Sequence, residues 1–450
     1  FLGIFIEKNR EANPRKTKFA LVVGIVFPLL LLLFFKYLNF LNQTISQIAQ
    51  FMSLHYPVRI LQVIIPLGIS YYTFHSISYL VDIYRVKQPA ERHLGIFSLY
   101  ILFFAKMVAG PIERAGRLIP QFREEKQFDY VQVMDGLKLM AWGFFQKLVI
   151  ADRAAIVVNE VFNHTQDYWG VYLIIGSFCF VFRVFCDFSG YSDIAIGAAQ
   201  IFGIRLSINF KRPYFSTSIA ELWRRWHITL IAWLRDYVYI PMGGKRVSKW
   251  RWQYNVFVTF ILSGIWHGAN WTYITWAALN GFYILFSIWT GKLRSKMTAA
   301  IGLTKLPLVH KVLKIVSVFL LFWFAAIFFR ANSTTDAFYI ISHLFTGLDD
   351  LFGTIVSMNY GLLKSFLVVP NKTTFLGFSK PAFLPEMITL ALSIAVMLVI
   401  HVIQEVRKER MRDMIARRPW YIQWTLYFGL IFAIFFLGVY SNQQFLYFIY

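Results

Sequence analysis

The chain is short of charge, shorter still of acid, and almost without cysteine. Of its 450 residues only 15% are Asp, Glu, Lys or Arg, against 58% hydrophobic, with a mean hydropathy of +0.54. Soluble domains carry about 25% charged residues, so a soluble globular class is excluded. The two cysteines, Cys179 and Cys186, lie seven positions apart in one apolar run. On a helix that is roughly 10 Å, too far to bridge. No disulfide framework and no metal site is expected. Neither Gly-x-Ser-x-Gly nor His-Glu-x-x-His occurs, which leaves serine hydrolase and zinc protease readings without support. No internal repeat is evident either, so the inverted-repeat signature of many secondary transporters is missing. The sequence starts at Phe1 without a methionine or a basic region leading to a cleavage site, and its true start is expected to lie upstream.

What is present is a series of apolar runs approaching the ~20 residues that a helix needs to cross a bilayer. The expected fold is all-α: a polytopic membrane bundle of nine to eleven transmembrane or re-entrant segments, forming one domain over residues 1–450. The net charge of +22, from 45 basic and 23 acidic residues, clusters between the apolar runs. That is the positive-inside pattern of a membrane protein, and no nucleic-acid partner is expected. The runs are Phe19–Phe35, Ile60–Tyr84, Val133–Ile150, Val171–Ile204, Ile315–Phe329, Met387–Val402 and Trp424–Val439. His93–Ala105 is too short to cross and reads as re-entrant or interfacial. Val171–Ile204 reads as one crossing broken at Asp187–Asp193, because the segment after it is basic. The loops Tyr37–Val58 and Asn332–Leu363 are placed outside, and Lys211–Arg251 and Arg407–Arg418 in the cytoplasm.

The most informative stretch runs from Asn209 to Gly281. Lys211 to Arg251 holds nine basic residues and two acidic ones, Glu221 and Asp236, alternating with Trp223, Trp226, Trp233, Tyr237 and Tyr239. A cytoplasmic loop obeying the charge bias would look like this, as would amphipathic helices lying in the interface. Its guanidinium groups could also hold phosphates of a charged cofactor. Then comes a window, Trp252 to Gly291, without Asp, Glu, Lys or Arg. Both flanks are basic, so it reads as a hairpin or a broken pair of helices. His267 lies 16 positions from Arg251, about 24 Å along a helix and deep within a ~30 Å hydrocarbon layer. Gly264 and Gly268 permit a backbone break beside it, tolerated at that depth only inside protein or a wet cavity. A neutral imidazole there can serve as a general base; it can equally bond a neighbouring helix. His227, flanked by Arg225 and Trp226, suits an interfacial site where a histidine costs little. Asp187, Ser189, Ser192 and Asp193 either line a polar cavity or cap helix ends.

At these residues the sequence resembles a known family. The segments Asp187–Gly197, Asn209–His227, Arg235–Gly244 and Gly264–Ala269 resemble the membrane-bound O-acyltransferase family, in its alginate O-acetylation (AlgI-type) branch. Pro66–Phe74, Gly110–Ile112 with Arg114, and Phe328–Ala331 match as well. The N-terminus departs from the family, which usually has one or two further apolar segments before the position of Phe1, and the C-terminal Phe445–Tyr450 looks clipped. The resemblance implies a helical bundle with a funnel or tunnel, a catalytic histidine at His267 and a second at His227. It implies transfer of an acetyl group from cytoplasmic acetyl-CoA, with no tightly bound cofactor, to an exported polysaccharide. Extracytoplasmic acetyltransferase-type partner proteins would complete that transfer at the inner membrane, among its lipids. Arg224, Arg225, Arg235 and Lys211 are the candidate donor-binding residues. Asn209, Trp223, Asp236, Tyr239 and Asn270 are the candidate substrate-binding residues. Two alternatives stay open: D-alanyl transfer from a carrier-protein thioester to teichoic acid, and a polysaccharide or lipid export component without chemistry.

Overall fold

The computed structural model describes residues 1–54, 56, 66–349, 374–440 and 445, with backbone alone at 374, 375, 380 and 381. The far ends of the expected loops Tyr37–Val58 and Asn332–Leu363, the start of the Ile60–Tyr84 run and the terminal residues 446–450 lie outside them. In chain order the helices are α1 (Leu2–Asn9), α2 (Pro14–Leu32), α3 (Leu38–Phe51), α4 (Ile69–Tyr84), α5 (Leu94–Leu102), α6 (Phe104–Met107) and α7 (Ala115–Arg123). Then follow α8 (Tyr130–Phe144), α9 (Asp152–Asn163), α10 (Val171–Ile201), α11 (Ile219–Arg225), α12 (Ile228–Leu234), α13 (Lys249–His267) and α14 (Trp271–Trp289). The last are α15 (Gly291–Ala300), α16 (Pro307–Arg330), α17 (Thr334–His343), α18 (Lys380–Arg407), α19 (Met411–Ala416) and α20 (Trp420–Leu437). A two-residue antiparallel pair, Thr374–Phe375 with Phe378–Ser379, leaves the all-α class intact.

Among the described residues, five helical stretches are long and apolar enough to cross a membrane: Pro14–Phe51, Val171–Ile201, Pro307–Arg330, Ala382–Arg407 and Trp420–Leu437. Outer helices present large apolar side chains such as Leu320, Val396, Phe432 and Phe435 outward, as lipid requires. The chain is a multi-pass membrane protein. Two expected boundaries change. Tyr37–Phe51 is helix, not loop: a π-turn at Leu33–Tyr37 joins α2 to α3 without a break. Charge placement could not show this, but Leu41, Ile45, Ile48 and Phe51 recur at helical spacing. Nor is the Val171–Ile204 run broken at Asp187–Asp193.

α10 is instead one unbroken helix of 31 residues, about 46 Å long, and forms the central pillar. Its polar residues are met sideways. A second π-turn, Phe145–Ala151 after α8, delivers Lys147 and Gln146 to it. Lys147 Nζ bridges Asp187 Oδ1 at 2.6 Å and Asp152 Oδ1 at 2.7 Å. Gln146 accepts from Ser189 and donates to Asp193 Oδ2 at 3.0 Å. α8 and α10 touch backbone to backbone at two levels. A Cβ on Gly143 would lie 2.6 Å from the Gly190 carbonyl oxygen, and one on Gly136 would lie 2.7 Å from that of Gly197.

α13 and α14 form the hairpin that the uncharged window predicts. Gly264 allows the close crossing, since its Cβ would meet the Tyr273 carbonyl oxygen at 2.5 Å. The break itself falls at Gly268, with extended backbone, immediately after His267.

Candidate active site

His267 is the last residue of α13 and is buried. Its imidazole meets three aromatic rings edge to face: Trp266 at 4.9 Å, Trp276 of α14 at 5.1 Å and Phe329 of α16 at 5.2 Å between centroids. Such pairs prefer this tilted geometry, so the ring orientation is set by packing. The carbonyls of Trp266 and His267 accept from Lys36 Nζ at 2.8 and 2.9 Å, and Tyr37 Oη donates to the Ile265 carbonyl.

His227 is not interfacial. It is 1% exposed, with its ring against Phe188 at 4.6 Å and 6.1 Å from the Trp266 ring. The two histidines therefore flank one indole. The physical reason is backbone geometry: His227 sits at φ 43°, ψ 51°, a left-handed turn between α11 and α12 that swings its side chain inward. That conformation is costly for a histidine, and such strain gathers at functional sites. Asn209 holds it in place. Its carbonyl accepts from Ile228 N–H at 2.9 Å, its Oδ1 accepts from Thr229 Oγ1 at 2.6 Å, and its Nδ2 donates to Ser192 on α10 at 3.3 Å.

The tryptophans expected at an interface face the core instead. Trp223, Trp226 and Trp233 are all buried, because rings of other helices, Phe260, Phe322 and Phe74, pack against them. Trp223 meets Trp276 at 5.6 Å, one ring removed from His267. Trp233 Nε1 donates to the Phe74 carbonyl, and Phe74 stacks on Trp266.

The other residues singled out from sequence are spread more widely. Asn270 caps α14, accepting from Thr272 N–H at 3.0 Å and donating to the Asn332 carbonyl at 3.0 Å. Asp236, in a third π-turn at Arg235–Tyr239, pairs with Arg114 at 3.4 Å and Arg235 at 2.8 Å. Tyr239 Oη accepts from Trp252 at 2.9 Å. Arg224, Arg235 and Lys211 are exposed. Arg225 is engaged, pairing with Glu221 at 2.6 Å and Glu405 at 3.1 Å. Glu221 belongs to a capping arrangement: its N–H donates to Ser218 Oγ, while its carboxylate accepts from Thr217 N–H at 2.9 Å. Burial pushes that carboxyl up, but the Thr217 donors and the Arg225 guanidinium outweigh it and hold it below the usual range. Among the described residues no three of His, Cys, Asp and Glu converge as metal ligands.

The membrane-bound O-acyltransferase family model matches residues 92–331, more than half of the chain and all of the segment that carries both histidines. The chain belongs to that family. Among its O-acyltransferase-family relatives is "Probable alginate O-acetylase AlgI" of Pseudomonas aeruginosa, 36% identical over 330 residues, 72% of this chain and 60% of the relative. "Peptidoglycan O-acetyltransferase" of Helicobacter pylori is 35% identical over 289 residues, 58% of this chain and 54% of the relative. "Teichoic acid D-alanyltransferase" of Streptococcus thermophilus is 29% identical over 264 residues, 54% of this chain and 62% of the relative. The chain spans less than two thirds of the length of these relatives.

Sequence reasoning missed Lys36, Tyr37, Thr229 and Glu405. Lys36 did carry a signal, as the lone charge between Lys18 and Arg59. The others act through tertiary partners and had none.

Proposed function

We propose that the chain is an integral-membrane O-acyltransferase that moves an acetyl group from cytoplasmic acetyl-CoA toward hydroxyls of an exported polysaccharide. The observation that carries this reading is the placement of His267: an imidazole at the broken tip of a buried hairpin, oriented by three aromatic rings and sharing Trp266 with His227. The alginate and peptidoglycan O-acetyltransferase relatives support the acetyl group and the polysaccharide class. His267 takes the proton of an acceptor hydroxyl as its oxygen attacks the thioester carbonyl carbon. The C–S bond breaks, and the departing thiolate takes the proton back from the imidazolium, leaving the acetyl ester and free thiol. His227, held by Asn209, orients or polarises the thioester carbonyl. Trp223 lines the acceptor side beside Trp276, and Asp236, Tyr239 and Asn270 shape the approaches to it. Arg224, Arg235 and Lys211, exposed and basic, meet the donor phosphates. Extracytoplasmic partner proteins complete transfer to the glycan at the inner membrane.

Detergent-purified protein given labelled acetyl-CoA should hydrolyse it, become acetylated or pass the label on. His267→Ala should cost about 10²–10⁴-fold in rate with normal insertion. Full activity in that variant would remove the mechanism. The D-alanyltransferase relative favours a second reading, transfer from a carrier-protein thioester. A D-alanyl carrier protein offered in place of acetyl-CoA decides between them by which donor is consumed.

A further inference from the structure

The last carbonyls of a helix have no partner within it. In α13, the Gly264 carbonyl accepts from Gly268 N–H at 3.4 Å. The next three carbonyls belong to Ile265, Trp266 and His267, and all three accept from one short segment some 230 residues earlier. Tyr37 Oη serves Ile265, and Lys36 Nζ serves both Trp266 and His267. Both donors come from the π-turn at Leu33–Tyr37, a widened turn of the kind that recurs at functional sites. After His267 the chain is extended at Gly268 and does not become helical again until Trp271. The terminal turn carrying the imidazole is therefore held from outside its own hairpin.

We propose that Lys36 is a positioning residue for His267: its ammonium clamps the last turn of α13 and fixes the imidazole toward the bound thioester. This rests on the general-base reading of His267 given above. A cation is favoured at a helix C-terminus, where the backbone dipole presents its negative end. Hydrogen bonds from a charged donor are shorter and stronger than neutral ones. A lysine is also costly in an apolar helix, and this one is the lone charge across some forty residues. Both Lys36 and Tyr37 lie outside the segment 92–331 that the family model matches.

Lys36→Met removes the donors while keeping most of the side chain's unbranched length. A misplaced base slows the chemical step without altering donor binding. The expected result is kcat lower by about 10- to 100-fold, as for loss of charged hydrogen bonds, with KM for acetyl-CoA within about twofold. Lys36→Arg, which can still donate to both carbonyls, should recover most of the rate. In a His267→Ala background, Lys36→Met should have no further effect, because there is no base left to misplace. If Lys36→Met cannot be recovered folded from detergent, Tyr37→Phe removes only the donor to Ile265, and a smaller loss in kcat at constant KM is expected. Wild-type kcat in whichever variant is measured, a KM effect equal to the kcat effect, or no rescue by arginine would overturn the proposal. If His267→Ala is inactive while Lys36→Met is as fast as wild type, only this inference falls. If His267→Ala is fully active, the general-base reading falls and takes this inference with it.

Discussion

Glu405 gathers three cations on one buried carboxylate near the end of α18. Arg212 Nε approaches it at 2.8 Å, Arg225 at 3.1 and 3.3 Å, and Lys408 Nζ at 2.6 Å. Lys408 is two-thirds exposed and contributes little, as surface pairs do. The two guanidinium groups are 13% and 18% exposed, so they carry the interaction. Removing one partner of a fully buried pair costs about 3–5 kcal/mol, because the remaining charge is stranded. Partial exposure here lowers that to about 2–3 kcal/mol for Glu405→Gln, which keeps the shape and removes the charge. The assay is the thermal midpoint of the detergent-solubilised protein, read by fluorescence-detected size exclusion, with a fall of a few degrees expected. Arg225→Ala should cost clearly less in the Glu405→Gln background than alone, since the two share the interaction. An unchanged midpoint in Glu405→Gln, or strictly additive effects, would refute the idea that this carboxylate ties α18 to the segment bearing His227.

Four shorter expectations follow from the same geometry. Glu221 has a depressed carboxyl pKa, so its stabilisation is present above the ordinary value of 4.5 and is lost as pH falls below it; the acid side of a midpoint-versus-pH profile should flatten in Glu221→Gln. Charge reversal at Arg224, which is exposed, should raise KM for acetyl-CoA more than it lowers kcat, and an unchanged KM would remove its donor role. Gly143→Val should sharply reduce folded protein, because even its Cβ would sit 2.6 Å from the Gly190 carbonyl; normal yield would contradict the close crossing. Single cysteines at Gln43 and Lys245 should label from opposite faces of the membrane with an impermeant reagent, and labelling from one face would sink the orientation.

The hairpin over the uncharged window and the break beside His267 were legible because charge depletion and glycine act locally. So was the all-α class, which the length of the apolar runs decides. The polar run at Asp187–Asp193 misled because its partners, Gln146 and Lys147, lie some forty residues away on another helix. Without them a polar run inside an apolar stretch reads as a break. His227 misled for a related reason. Its neighbours Arg225 and Trp226 look interfacial, yet a left-handed turn pinned by Asn209 buries the ring, and nothing in the residue types announces a positive φ at a histidine. Arg225 likewise offered a free guanidinium by sequence, whereas Glu405, 180 positions on, already holds it.

The glycine crossing of α8 on α10 has a consequence for motion. Side chains between helices act as bearings, because they can change rotamer and let one helix slide on another. At Gly143–Gly190 and Gly136–Gly197 there is no such layer, and main chain rests on main chain at two levels. The pair must move as one plate. Ser192 on that plate holds Asn209, which holds the turn of His227, so this histidine belongs to the stationary half of the site. His267 sits at a hairpin tip whose last carbonyls accept from side-chain donors of the Leu33–Tyr37 turn. Moving the hairpin tip would require Lys36 and Tyr37 to release those carbonyls, whereas moving His227 would require the whole plate to move.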